Sequence, residues 1–217
     1  QDQKALSKFV QGLDVVTVEN ENIPTETAQF IQQHCCFYPS LQALQVSQDR
    51  LLEKNLFNEL GIATPPYRAI HSLQDLKNAV AEISLPAVLK TRRFGYDGKG
   101  QFLIKTAIQV EEAWKTIGGE NLILEQLIAF DREVSIISVR NVQGQILHYP
   151  LVENQHNQGI LRVSKAPYHD NLLQKKAKTY AEAILNKFNY VGVLAIEFFH
   201  QGENLIANEM APRVHNT

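Results

Sequence analysis

Leu89-Lys90-Thr91-Arg92-Arg93-Phe94-Gly95-Tyr96-Asp97-Gly98-Lys99-Gly100-Gln101 sets three glycines at G-x-x-G-x-G spacing among four cations. Glycine lets backbone N–H groups turn inward around an anion, and the cations neutralise its charge, so the loop reads as a polyphosphate cradle. Its flanks decide the fold. Pro86–Leu89 before it and Phe102-Leu103-Ile104 after it are both strand-like apolar runs. A Walker loop or a dinucleotide fingerprint passes from a strand into a helix. A glycine-rich flap between two strands is a different device, a lid over nucleotide phosphates.

Composition sets the frame around this loop. The chain has 217 residues, 44% hydrophobic and 20% charged, enough for one large domain or two small ones. A formal net charge of -2 argues against a general nucleic-acid surface. No apolar run approaches the roughly 20 residues of a membrane span, and residues 1–11 lack the apolar core of a secretory signal. Adjacent Cys35 and Cys36 make no disulfide framework. They read as two buried small hydrophobes in a protein of the reducing cytoplasm. A start at Gln1 and a stop at Thr217, just after a polar cluster, read as a fragment of a longer protein.

Outward from the loop, the pattern is α+β. Residues 13–18 read as a buried strand. Glu19-Asn20-Glu21-Asn22-Ile23-Pro24 then places carboxylates at its C-terminal end, where open α/β sheets hold ligands, although a solvated loop before a helix fits equally. Thr25–Gln33 reads as helical. Asp49 is a plausible N-cap for a helix through Leu52, Leu56 and Leu60 that Gly61 stops. Ser72-x-x-Asp75 opens a helix through Leu76, Val80 and Ile83, and Thr106-x-x-Gln109 caps one through Val110, Ala113, Trp114 and Ile117. Strands are expected at 121–126, 133–139, 145–149 and 160–164, with a hairpin turn at Asn141–Gly144. Leu173, Ala177, Tyr180, Ala181, Ile184 and Phe188 form one stripe of a helix. Gly192–Phe199 and Asn204–Met210 form a hairpin around Gln201-Gly202. The antiparallel pieces predict two lobes joined near residue 125.

Several residues on this frame point to chemistry. Lys90, at a strand end beside the flap, can reach phosphates as a point charge. The backbone around Glu125-Gln126-Leu127-Ile128 can meet an adenine edge, and Glu133 can accept from ribose hydroxyls; each acid also reads as a solvated strand end. Glu197 and Glu209 sit within apolar strands, where a carboxylate is costly unless paired or bound to a cation. With Ala195 opposite Glu209, the two acids become diagonal neighbours on one face, about 7–8 Å apart at Cα. An oxygen-only site of this kind suits Mg²⁺, with Asn208 adding a neutral oxygen. The alternative is a pair of acids salt-bridged to Lys or Arg. Arg213, His215 and Asn216 could bind an anionic substrate, and His156 reads as a plain loop histidine.

Together these segments resemble the ATP-grasp superfamily. They are 19–24, Gln48-Asp49-Arg50, 89–101, Glu125-Gln126, 130–135 and Asn208-Glu209-Met210-Ala211-Pro212-Arg213-Val214-His215-Asn216. The resemblance is closest to the purine-pathway branch that makes 5-(carboxyamino)imidazole ribonucleotide. It implies an ATP-grasp fold of two α+β lobes preceded by a remnant of a Rossmann-like N-terminal domain. Residues 1–48 would be the C-terminal part of the pre-ATP-grasp domain, 49–124 lobe A with the flap at 91–101, and 125–217 lobe B, with a C-terminal domain absent. The family continues His-Asn with Ser-Gly-His-x-Trp, whereas this chain has Thr217.

The resemblance also implies roles. Arg50 and Lys90 would contact ATP phosphates, with Gly95, Tyr96, Asp97, Gly98, Lys99, Gly100 and Gln101 closing over them. Glu125, Gln126, Leu127 and Ile128 would hold adenine, Glu133 the ribose, and His156 would lie near the nucleotide. Glu197 and Glu209, assisted by Asn208, would hold Mg²⁺, with Mn²⁺ as a substitute. Tyr96, Asp97, Lys99, Arg213, His215, Asn216 and one acid of the Glu19/Glu21 pair would face bicarbonate and aminoimidazole ribonucleotide. The implied enzyme is a cytoplasmic, ADP-forming C–N ligase, a homodimer at full length, acting through carboxyphosphate. The alternatives are another ATP-grasp ligase, of the formate-dependent transformylase or biotin-carboxylase type, or a nucleotide-binding fragment without turnover.

Overall fold

The computed structural model describes residues 2–95, 99–157 and 159–217, so Tyr96, Asp97 and Gly98 of the expected flap lie outside the described residues. The N-terminal segment carries α1 (Gln3–Phe9), β1 (Val15–Thr17), α2 (Thr25–Gln32), β2 (Cys36–Tyr38) and α3 (Leu41–Ser47). β1 and β2 pair in parallel. Their small core joins Val10, Val18, Ala28, Ile31, Phe37 and Leu44. The expected buried strand at 13–18 is shorter and half open, with Val15 49% exposed, because β1 pairs with β2 alone among the described residues. For the same reason the cysteines are not both buried. Cys36 is exposed on β2, Cys35 is half-buried, and both are free thiols.

The first lobe is a four-stranded antiparallel sheet. Its strands are β3 (Tyr67–Ile70), β4 (Ala87–Thr91), β5 (Gln101–Ile104) and β6 (Leu122–Gln126), in the order β3-β6-β4-β5. α5 (Leu73–Glu82) and α6 (Val110–Ile117) supply Leu76, Ala79, Val110 and Ala113 to its core. The caps act as the sequence predicts. The Ser72 hydroxyl accepts from the Asp75 N–H, and Thr106 with Gln109 forms a capping box on a 3₁₀ turn leading into α6. The glycine loop does run from strand to strand, since β4 and β5 pair with Lys90 opposite Gln101.

The second lobe is a six-stranded antiparallel sheet. It contains β7 (Arg132–Arg140), β8 (Ile146–His148), β9 (Val152–Asn157), β10 (Ile160–Lys165), β11 (Gly192–Gln201) and β12 (Asn204–Ala211). The order is β10-β9-β7-β11-β12, with β8 also on β7. α7 (Asn171–Lys187) buries Leu173, Ala177, Ala181, Ile184 and Leu185 against it. α4 (Arg50–Glu59) is capped by Asp49, as expected, but it meets the first lobe only through polar side chains and adds nothing to that lobe's apolar core. Leu56 and Phe57 enter the second lobe's core, while Leu52 stays 42% exposed. The segment 49–124 therefore does not share one core. Among the described residues no helix is long and apolar enough to cross a membrane.

Candidate active site

The inner faces of the two sheets, the N-terminus of α4, the loop after β1 and the tail after β12 enclose a cleft of about 820 Å³. Strand register explains what it presents. Val88 stands opposite Glu125, so Lys90, two residues on, is the diagonal neighbour of Glu125 on the same face. Lys90 Nζ donates to Glu125 Oε2 at 2.9 Å, and Lys54 Nζ lies 3.6 Å from the same oxygen. Lys54 comes from α4, fully buried, and also donates to the carbonyls of Asn208 (2.7 Å) and Ala207 (3.3 Å) on β12. One carboxylate thus joins both lobes. Burial alone would push the Glu125 pKa up, but Lys54, Lys90 and Arg50 pull it down to about 2. Burial moves the Lys54 pKa the other way, below its ordinary value.

Spacing along α4 brings Arg50, Glu53 and Lys54 onto one face of the helix. Arg50 Nη1 donates to Glu209 Oε2 at 3.0 Å, and Glu53 Oε1 accepts the Met210 N–H at 2.6 Å. Burial opposes the Arg50 charge, yet Glu209, Glu125 and Glu53 raise its pKa. Burial also raises Glu209, but Arg50 overcomes it and holds that carboxyl below its usual range. Glu53 moves to about 8, through burial first and Glu209 second.

Glu197 and Glu209 are not diagonal neighbours. Glu197 stands directly opposite Glu209, and Ala195 pairs with Ala211. The register slips between Glu197 and Phe198, whose partner is Ala207, leaving Asn208 as an extra residue on β12. Such a bulge reverses which face the following residues occupy. A regular hairpin would put Asn208 opposite Glu197 and turn Glu209 away; the bulge brings both acids into the cleft. Each also has a nitrogen partner, the Arg50 guanidinium for Glu209 and His215 Nε2, at 3.1 Å, for Glu197. Two facing carboxylates with an amide oxygen beside them fit Mg²⁺, a hard cation that keeps waters and takes one or two protein acids plus substrate phosphates. No group of three or more His, Cys, Asp or Glu side chains converges to hold a metal ion among the described residues, so the protein's share of such a site is the two opposed acids.

At one end of the cleft, Glu133 Oε2 and His156 Nδ1 lie 2.7 Å apart. His156 is on β9 and not in a loop, because the polar run 152–157 forms a strand against β7. Leu127 and Phe199 line the cleft, and Phe199 stacks on Phe130 with ring centroids 4.8 Å apart. The Glu125 side chain turns to the two lysines, and the amides of Gln126 and Leu127 donate to Pro66 O and Pro86 O, so neither amide is left to face the cleft. At the other end, Arg213 Nε donates to Glu21 Oε2, with Nη2 at 3.4 Å from Oε1. Glu21 is the acid of its pair that lines the cleft; Glu19 is exposed and outside it. Lys99, Gln101 and Asn216 line the cleft as well. Gly95 and Gly100 fold the loop root against Thr91. A Cβ on Gly100, at φ +69°, would sit 2.7 Å from Thr91 Oγ1.

Sequence reading missed Gln48, Glu53 and Lys54 as site residues. The signal for Glu53 was present, since it lies three and four residues before the buried Leu56 and Phe57 and therefore on their stripe.

Residues 55–217 match the model of the ATP-grasp domain, and residues 1–48 that of the ribonucleotide synthetase preATP-grasp domain. Among curated proteins, N5-carboxyaminoimidazole ribonucleotide synthase of Pseudomonas aeruginosa is 44% identical over 216 residues, covering 100% of this chain and 60% of the relative. Among solved structures, the N5-carboxyaminoimidazole ribonucleotide synthetase of Thermus thermophilus superposes with a TM-score of 0.94 at 48% identity, over 99% of this chain and 59% of that one. The Staphylococcus aureus N5-carboxyaminoimidazole synthetase, complexed with ADP, gives 0.93 at 33% identity, over 100% and 58%. The chain spans about 60% of the length of these relatives.

Proposed function

The chain belongs to the ATP-grasp family, and from that membership we propose that it carries the nucleotide-binding lobes of a ligase. The ligase uses ATP and bicarbonate to carboxylate 5-aminoimidazole ribonucleotide to 5-(carboxyamino)imidazole ribonucleotide. In the first step a bicarbonate oxygen attacks the γ-phosphorus, the bond to the ADP oxygen breaks, and carboxyphosphate forms. In the second, the exocyclic amine attacks the carboxyl carbon, phosphate leaves, and the amine loses a proton.

Phosphoryl transfer is mostly positioning and charge neutralisation, so no protein nucleophile is needed. Lys90 and Arg50 take phosphate oxygens, each already held in place by an acid. The loop root at Gly95 and Gly100 brings backbone close to them, with Lys99 and Gln101 beside it. Glu133 and His156 take the ribose side, and Gln126–Ile128 with Leu127 and Phe199 the base. Glu197 and Glu209, with Asn208, would hold Mg²⁺ or Mn²⁺, which when bound neutralises phosphate charge as a Lewis acid. Glu21, Arg213, His215 and Asn216 face the ribonucleotide and bicarbonate. A cleft walled by both lobes keeps water from carboxyphosphate, which hydrolyses readily.

The observation that carries this reading is the opposition of Glu197 and Glu209 in the same cleft as Lys90, Arg50 and the Glu21–Arg213 pair. The test is acid-dependent ADP release in a polypeptide that carries this chain at its relatives' full length. Bicarbonate should support ADP release together with consumption of aminoimidazole ribonucleotide. Release supported by formate, and not by bicarbonate, would replace this reading with that of a transformylase.

A further inference from the structure

Gln48 occupies a junction that the proposed chemistry leaves unused. It follows α3 and is only 4% exposed. Its Nε2 donates to Glu21 O at 2.6 Å and to Ile23 O at 2.8 Å, and its Oε1 accepts from Arg93. Both amide protons and the carbonyl oxygen are therefore committed, on a side chain whose burial makes each bond costly to lose. The carbonyls belong to the segment that presents Glu21 to Arg213; Arg93 belongs to the root of the glycine loop. The next two residues extend the junction. Asp49 accepts from Arg92 Nε (2.9 Å) and Nη2 (2.6 Å) while capping α4. The Arg50 N–H donates to Arg92 O at 2.9 Å, and its guanidinium holds Glu209. Three consecutive residues thus join the ribonucleotide end of the cleft, the loop root and an acid of the nucleotide end.

We infer that Gln48 is a positioning residue that couples the two ends of the cleft. It ties the carbonyls of Glu21 and Ile23 to the root of the glycine loop, so that nucleotide bound at Lys90 and Arg50 and ribonucleotide bound at Glu21 and Arg213 raise each other's affinity. The inference rests on the functional reading above. Linkage makes the effect reciprocal, and couplings of this kind run from about 5-fold to 150-fold.

The experiment is calorimetric binding of a non-hydrolysable Mg·ATP analogue, with and without saturating aminoimidazole ribonucleotide, in the full-length polypeptide. The wild type should bind the analogue about 5-fold or more tightly when the ribonucleotide is present. Gln48→Met keeps the side chain's bulk and removes its hydrogen bonds; the ratio should fall to about 1, beyond any change in the analogue's affinity alone. A purely structural role would lower stability and leave the ratio intact. Arg93→Met alters an exposed side chain, so it tests the same link should Gln48→Met fail to fold, and it too should lower the ratio. A ratio of 1 in the wild type with both ligands bound, or an unchanged ratio in the folded variants, overturns the coupling and leaves the functional reading standing. Failure of the ribonucleotide to bind the wild type overturns both.

Discussion

Replacing Glu125 with glutamine tests the ion cluster that joins the lobes. The carboxylate is buried at the end of β6, 2.9 Å from Lys90 Nζ and 3.6 Å from Lys54 Nζ. Burial alone would raise its pKa; Lys54 and then Lys90 pull it from 4.5 to about 2. A drop of that size corresponds to about 3 kcal/mol of folded-state preference for the ionised form. Loss of one partner of a buried pair costs a similar 3–5 kcal/mol or so, because the remaining charge is left uncompensated. Glu125→Gln should therefore lower unfolding free energy by about 3 kcal/mol at pH 7, measured by urea denaturation. The sign with pH follows from the direction of the shift. The folded pKa lies below the unfolded one, so the stabilisation is complete above pH 4.5 and is lost as pH falls toward 2. The gap between wild type and variant should narrow across that window. A gap below about 1 kcal/mol at pH 7, or one that stays constant down to pH 2, would refute the role given to Lys54 and Lys90.

Two further outcomes test the site itself. Glu197→Gln or Glu209→Gln in the full-length polypeptide should each raise the barrier to ATP turnover by several kcal/mol, roughly 100-fold or more in rate; near-normal turnover would show that the opposed acids hold no metal. Gly100→Ala places a Cβ 2.7 Å from Thr91 Oγ1 at φ +69°, a strain of about 1–2 kcal/mol. It should weaken binding of a Mg·ATP analogue, and an unchanged Kd would remove the loop root from the phosphate site.

Local signals carried much of the fold. Ser72, Thr106 and Asp49 cap their helices because a short polar side chain satisfies an N–H that the helix leaves bare, and that requirement is visible within four residues. The glycine loop was legible as a strand-to-strand connection for the same reason, from its immediate flanks. The short β2 and the polar β9 were not, since neither has an apolar alternation strong enough to announce it; β9 forms because β7 and β10 pair with both its edges. α4 was legible as a helix but not as part of the second lobe, because its stripe includes Glu53 and Lys54, which look solvated until β12 and Glu125 come to meet them.

The candidate site divides in the same way. By itself the sequence determined its cast: a glycine-rich loop with Lys90, two acids in apolar strands, and a polar group after Pro212. Tertiary structure decided their relations. The bulge at Asn208 turns Glu209 onto the face of Glu197, and no pattern within either strand requires it. Glu21 enters the cleft while Glu19 stays outside, because Arg213 and Gln48 hold the loop between them. These outcomes depend on partners up to 192 residues apart. Register, diagonal pairing and ion clusters over such separations belong to the packed chain, whereas caps, glycine turns and apolar runs belong to its local covalent sequence.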